Sequence, residues 1–169
     1  MKNVLIIAVI LLAQNGWAQQ QANDTTRRRF GPPPVGTITP TRETPVHDPV
    51  MIKEKNKYYL FCTGNGISVF SSNDMKSWRR EMPVFSKIPD WVAKALPNYR
   101  GNSMWAPDIS YHSGKYYLYY AVSSFGKNTS CIGVAVNKTL DSASKDFKWE
   151  DMGKVIQSVP GRDLWNAID

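Results

Sequence analysis

The chain has 169 residues, enough for about one domain. Its 42% apolar and 21% charged residues are ordinary globular values and argue against a wholly disordered chain. A net charge of +7 is modest for a nucleic-acid binder, two cysteines are too few for a disulfide scaffold, and two histidines, His47 and His112, argue against a His-rich metal site.

Met1-Lys2-Asn3 is a short positive start, Val4 to Ala13 is apolar, and Gly16-Trp17-Ala18 puts small residues where a signal peptidase reads. This is the pattern of a secretory signal peptide over residues 1–18, which predicts a secreted or periplasmic protein. Gln19 rather than Cys follows the predicted cut, so no lipid anchor is signalled. Past this segment no apolar run approaches the roughly 20 residues of a membrane span. Residues 19–44 hold Arg27-Arg28-Arg29 beside Phe30-Gly31-Pro32-Pro33-Pro34, in a stretch dense in Gln, Thr and Pro. Such a segment buries too little apolar surface to fold. It reads as a disordered tether whose basic triplet is solvated linker charge, with no nucleic-acid partner.

From Val46 the character changes. Val50-Met51-Ile52 and Tyr58-Tyr59-Leu60-Phe61 flank a turn at Glu54-Lys55-Asn56-Lys57. Ile109-Ser110-Tyr111 and Tyr116-Tyr117-Leu118-Tyr119-Tyr120 flank another at His112-Ser113-Gly114-Lys115. Both pairs read as hairpins of aromatic, β-prone strands. A third strand follows in each, Ile67-Ser68-Val69-Phe70 and Ile132-Gly133-Val134-Ala135-Val136, and a fourth near Trp78-Arg79-Arg80 and Trp149-Glu150-Asp151. Pro83-Val84-Phe85 and Lys154-Val155-Ile156 close the two units alike. A short helix is predicted over 90–96, ahead of Pro97, and a loop over 123–130.

The chain thus holds two copies of one four-stranded unit, which predicts an all-β propeller, with a β-sandwich as the alternative. Blade one spans about 46–100, blade two about 101–160, and a third begins about 164. Asp48 and Asp108 precede the first strands of the two copies, 60 residues apart, and Asp169 lies 61 residues further on. The first strand of each blade lines the central channel, so such acids converge in space.

Converging carboxylates suit glycoside hydrolysis, which uses two of them across the scissile bond, about 6.5–9.5 Å apart in an inverting enzyme. Close carboxylates also push each other's pKa values apart. An Asp before a strand often only binds turn amides. The repeat spacing and the flanking His47-Asp48-Pro49 and Trp105-Ala106-Pro107-Asp108 favour the catalytic reading. Trp105 is either an apolar floor for a sugar ring or a core residue. Asn166, three before Asp169, can donate to a sugar hydroxyl or to the acid. Asp74 reads as an Asx-type turn before a packed Trp78. Cys62 and Cys131 read most simply as buried thiols, with a disulfide left open.

The ordered series Val46-His47-Asp48-Pro49, Trp105 through His112, Gly114 through Tyr120, Ser124 through Ser130, Thr139-Leu140-Asp141 and Asn166-Ala167-Ile168-Asp169 resembles glycoside hydrolase family 43, and within it the endo-acting arabinan 1,5-α-L-arabinosidases. The resemblance covers about Pro45 to Asp169. It implies a five-bladed β-propeller, monomeric when complete, that cleaves internal α-1,5 links of arabinan with inversion. Asp48 matches the general base, and Asp169 the acid that orients the proton donor and adjusts its pKa. His47, Trp105, Asp108, Phe125 and Asn166 are expected to contact arabinan or arabino-oligosaccharide. The family's general acid, a Glu on a later blade, has no counterpart among Glu43, Glu54, Glu81 and Glu150. Its channel metal, commonly calcium, has no identifiable ligand here either. The chain matches about two blades and the start of a third, so by itself it is expected to be inactive. The same fold with other specificities gives an exo-acting arabinofuranosidase or xylosidase. A secreted carbohydrate-binding propeller without catalysis is the reading from another class.

Overall fold

The computed structural model describes residues 32–124 and 126–168. The predicted signal peptide, the tether as far as Gly31, Phe125 and Asp169 lie outside the described residues. The fold is all-β, with two antiparallel sheets in one compact unit that begins at Pro33. In chain order the strands are β1 (Ile38–Pro40), β2 (Val50–Glu54), β3 (Lys57–Cys62), β4 (Gly64–Asn65), β5 (Ser68–Ser72) and β6 (Ser77–Arg80). A short helix, α1 (Asp90–Ala95), leads to β7 (Ser103–His112), β8 (Lys115–Ser123), β9 (Ser130–Asn137) and β10 (Glu150–Ser158). Sheet one has the order β1-β6-β5-β3-β2, and sheet two the order β10-β9-β8-β7-β4.

Both predicted hairpins form. Glu54 pairs with Lys57 and His112 with Lys115, so each is closed by two residues. The second turn takes φ +48° at Ser113 and +80° at Gly114, the left-handed pair that matches strand twist. The registers repeat: Val50 faces Phe61 as Asp108 faces Tyr119. Equivalent residues are therefore 58 positions apart, not 60. Asp48-Pro49 is matched by Ala106-Pro107, and Asp108 takes the place of Val50 within β7 rather than ahead of it. The strand starts earlier than expected because a bulge between Trp105 and Asp108 absorbs Pro107.

Two other expectations need correction. Residues 38–44 are not tether. Ile38, Thr39 and Pro40 pair with Arg79, Trp78 and Ser77, and the Gly36 N–H donates to the Arg80 carbonyl at 2.7 Å. The pairing runs through the backbone at a sheet edge, where a proline is tolerated, so a polar, Pro-rich composition concealed it. The two units also close differently: Lys154, Val155 and Ile156 lie inside β10, whereas Pro83 to Phe85 form no strand.

The sheets share one core. Tyr59, Phe61 and Val69 of sheet one meet Ile109, Leu118, Tyr120 and Ala135 of sheet two. Burying a Phe or Leu side chain contributes roughly 1.5–3 kcal/mol, and Phe61 and Leu118 are at most 1% exposed. Val92 and Leu96 bring α1 onto this core. Trp91 lies so close over Gly133 that a Cβ there would sit 2.7 Å from its ring. The other face of β3 and β5 forms a smaller cluster of Cys62, Phe70 and Trp78. There the buried Arg80 guanidinium stacks on Phe70 and donates to the Val69 carbonyl at 3.0 Å.

Hydrogen bonds tie the two sheets at opposite ends. β4 follows β3 in sequence but pairs with β7, Gly64 with Met104 and Asn65 with Ser103. At the far end the Glu54 carboxylate accepts from the Thr139 hydroxyl at 2.9 Å and the Leu140 N–H at 2.7 Å.

Candidate active site

The end of the sheets nearest β4 carries His47, Asp48 and Trp105 and, by way of Ser130, Asn166. Asp48 sits two residues before β2 with φ +50°, a left-handed backbone that Asp tolerates better than most residues. It persists because its neighbours hold it. The Thr63 N–H donates to the His47 carbonyl at 2.9 Å, and the Thr63 hydroxyl donates to Asp48 Oδ2 at 2.6 Å. His47 Nδ1 lies 2.7 Å from the same oxygen. Asp48 Oδ1 has no hydrogen-bond partner among the described residues. The Asp48 side chain is 39% exposed and that of His47 79% exposed. The Thr63 hydroxyl holds the Asp48 carboxyl below the usual aspartate range, against the opposing effect of burial, and His47 adds to the lowering.

The second sheet enters through Ala106. Its φ of +40°, at the bulge, turns its N–H onto Thr63 Oγ1 at 2.9 Å. Trp105, one residue earlier, is half-buried and donates from Nε1 to Ser103 Oγ at 3.1 Å. Register carries this end across sheet two: Trp105 faces Ala121, and Ser123 faces Ser130, which faces Ser158. The segment after β10 folds back onto the same end. Ala167 N–H donates to Ser130 Oγ at 2.7 Å, and the Ser130 hydroxyl donates to Asn166 Oδ1 at 3.2 Å. Asn166 is exposed, and its amide Nδ2 makes no hydrogen bond among the described residues.

Asp108 is exposed past the bulge, and its Oδ1 accepts from the Ile109 N–H at 2.9 Å. Among the described residues no hydrogen bond or ion pair joins Asp108 or Asn166 to the Asp48 group. Asp169 and Phe125 lie outside the described residues. The four glutamates are engaged elsewhere: Glu43 with Arg42, Glu54 with Thr139 and Leu140, Glu81 with Ser71, and Glu150 with Lys148. Asp74 makes the expected turn, its Oδ1 accepting from the Lys76 and Ser77 N–H groups. Cys62 and Cys131 are free, buried thiols. Among the described residues no three His, Cys, Asp or Glu side chains come together as cation ligands. A cavity of about 50 Å³ between the sheets, lined by Tyr59, Phe61, Leu140 and Trp149 among others, includes none of the predicted site residues.

Thr63 was not among the expected residues. The β2–β3 register, extended by two residues from the Val50–Phe61 pair, puts it opposite Asp48. Counting back along the hairpin was the signal that identifies it.

Residues 38–169 match the family described as Glycosyl hydrolases family 43. The chain is 56% identical over 128 residues to the extracellular exo-α-(1→5)-L-arabinofuranosidase of Cellvibrio japonicus, covering 76% of this chain and 37% of that protein. It is 44% identical over 128 residues to the extracellular endo-α-(1→5)-L-arabinanase 1 of Bacillus subtilis, covering 73% and 38%. The structure of the Cellvibrio cellulosa α-L-arabinanase complexed with arabinohexaose matches at TM-score 0.69 and 56% identity, covering 73% of this chain and 39% of that one. The chain therefore spans less than two-fifths of these relatives' lengths. With the family match running from the edge strand β1 through the Asp48 group to the last residue, the chain belongs to glycoside hydrolase family 43.

Proposed function

We propose that this chain is part of an inverting hydrolase of α-1,5-linked arabinan in which Asp48 is the general base. One observation carries the reading: the Asp48 carboxyl is held below the usual aspartate range, is partly exposed, and is held by one oxygen while the other is unpartnered among the described residues. A base in this reaction must stay charged, reach a water molecule and hold its aim. Asp48 takes a proton from water as the water oxygen attacks the anomeric carbon. The glycosidic C–O bond breaks, and a carboxylic acid on the opposite side gives its proton to the leaving oxygen.

The family resemblance assigns that acid to a Glu and its tuning to Asp169. The engaged positions of Glu43, Glu54, Glu81 and Glu150 support a donor other than these four. The 169-residue chain alone is accordingly expected not to turn over arabinan. In the same reading the two sheets are the first two blades of a five-bladed propeller. Trp105 floors the sugar ring, the Asn166 amide and His47 meet hydroxyls, and Asp108 and Phe125 complete the contacts. Secretion is supported by two relatives named as extracellular. Arabino-oligosaccharide as substrate is supported by the relative complexed with arabinohexaose.

Attack on internal links is the expectation from the sequence. A second reading, attack at chain ends, is favoured by the 56% identity to an exo-named relative against 44% to an endo-named one. Proton NMR of linear arabinan incubated with protein from the complete reading frame tests the proposal. Inversion releases the β-anomer first, and release of the α-anomer first contradicts it. Product length separates the two modes: oligomers for internal attack, and one short product of fixed size for attack at chain ends.

A further inference from the structure

We infer that Thr63 is a positioning residue for Asp48, fixing Oδ2 through a hydroxyl that is itself oriented by the Ala106 N–H, so that Oδ1 is the oxygen that meets water. The inference rests on the reading of Asp48 as the base.

A hydroxyl has one proton. Thr63 Oγ1 lies 2.6 Å from Asp48 Oδ2 and 2.9 Å from the Ala106 nitrogen. The amide can only donate, and an ionised carboxylate can only accept. The Thr63 hydroxyl therefore takes the amide proton on a lone pair and points its own proton at Asp48, and this geometry leaves it no other orientation. The donor from sheet two is set by the bulge, whose left-handed Ala106 aims the N–H at Thr63. The carboxylate of sheet one is thus aimed by the backbone of sheet two, with Thr63 as the bridge. The Thr63 N–H to His47 carbonyl bond, at 2.9 Å, fixes the bridge's own backbone.

His47 also contacts Oδ2, but at 79% exposure it is the weaker anchor. Among the described residues the titratable groups that interact with Asp48 are His47, on its own loop, and the buried Cys62 thiol, its neighbour on β3. From β7 the contact is the neutral Ala106 backbone by way of Thr63. Losing the Thr63 hydroxyl therefore removes the largest influence that lowers the Asp48 carboxyl below its usual range.

The test uses protein from the complete reading frame in four forms: unchanged, Thr63→Val, Thr63→Ser and Asp48→Asn. Steady-state kinetics on linear arabinan are measured across pH. A hydrogen bond to a charged group is lost in Thr63→Val, so kcat falls roughly ten- to a hundredfold. KM stays near that of the unchanged protein, and the acidic limb of kcat/KM moves to higher pH. Thr63→Ser, which keeps the hydroxyl, restores most of kcat and the original limb. Unchanged kcat and limb in Thr63→Val overturn the inference. Equal losses in Val and Ser overturn it too, because a packing role alone explains them. Should Thr63→Val fail to fold, carboxyl carbon-13 titration of Asp48 in Thr63→Ser and Thr63→Ala reads the same contact: Ala raises the midpoint and Ser does not, and equal midpoints overturn the inference. Asp48→Asn separates the two levels. If it keeps full turnover, the base reading itself fails. If it is inactive while Thr63→Val is normal, only the role of Thr63 falls.

Discussion

Asp48 and Ala106 hold the same place in the two sheets, 58 positions apart, and each takes a left-handed backbone directly before a proline, with φ of +50° and +40°. Such a conformation in a non-glycine residue costs on the order of 1–3 kcal/mol and persists only where its surroundings over-determine it. Here Thr63 joins the two, accepting from one backbone and donating to the other's carboxylate. Left-handed Lys55 and Ser113, by contrast, sit in two-residue hairpin turns that require no other explanation.

The carboxyl groups held below their usual range set an acid limit to stability. Asp48 is lowered chiefly by the Thr63 hydroxyl, Asp74 by the Lys76 N–H, and Asp163 by its hydrogen bond from Arg162. A carboxyl whose folded pKa is depressed binds protons more weakly folded than unfolded. Its contribution is complete above the unfolded pKa and is lost as pH falls through the folded one. Denaturant midpoints are expected to be level from neutrality down to about pH 5 and to fall below about pH 4. A decline that begins above pH 6 contradicts this assignment.

Glu54 clasps the sheets at the end remote from Asp48, through Thr139 and Leu140. Glu54→Ala leaves the Leu140 N–H without its carboxylate and removes two charge-assisted bonds. Urea titration is expected to show a loss of about 1.5–3 kcal/mol. A change under about 0.5 kcal/mol, the range of ordinary surface substitutions, contradicts the clasp.

Gly133 is where α1 meets sheet two. A Cβ there would lie 2.6 Å from Tyr120 and 2.7 Å from Trp91, both rigid rings. Gly133→Ala is expected to cost about 1–3 kcal/mol by urea titration, as overpacking does. A neutral result means that the helix lifts without penalty.

Cys62 and Cys131 are 1% and 0% exposed, and burial pushes both thiols up. Neither is expected to react with a thiol reagent at pH 8 in the folded protein, and both are expected to react in denaturant. Prompt labelling of either one places it outside the core.

The strands of both hairpins were legible because period, aromatic content and turn residues agreed at each. β1 and β4 were not, because two or three residues paired by backbone alone leave no hydrophobic pattern. Asp48 stands out in the sequence by its setting between His47 and Pro49, but the repeat does not: matching Asp to Asp gives a spacing of 60, whereas the prolines and the paired tyrosines align at 58 and place Asp108 inside β7. Thr63 carries no motif. It is visible only once hairpin register is carried past the strand ends, since a hydroxyl acquires its role from what lies across from it.

The most direct test of the account is Asp48→Asn in protein from the complete reading frame, with kcat and KM measured on linear arabinan. Asn keeps the shape and the Thr63 contact but cannot take a proton. kcat is expected to fall roughly 10²–10⁴-fold, the contribution of a general base, with KM little changed. Turnover within a few-fold of the unchanged protein would contradict it.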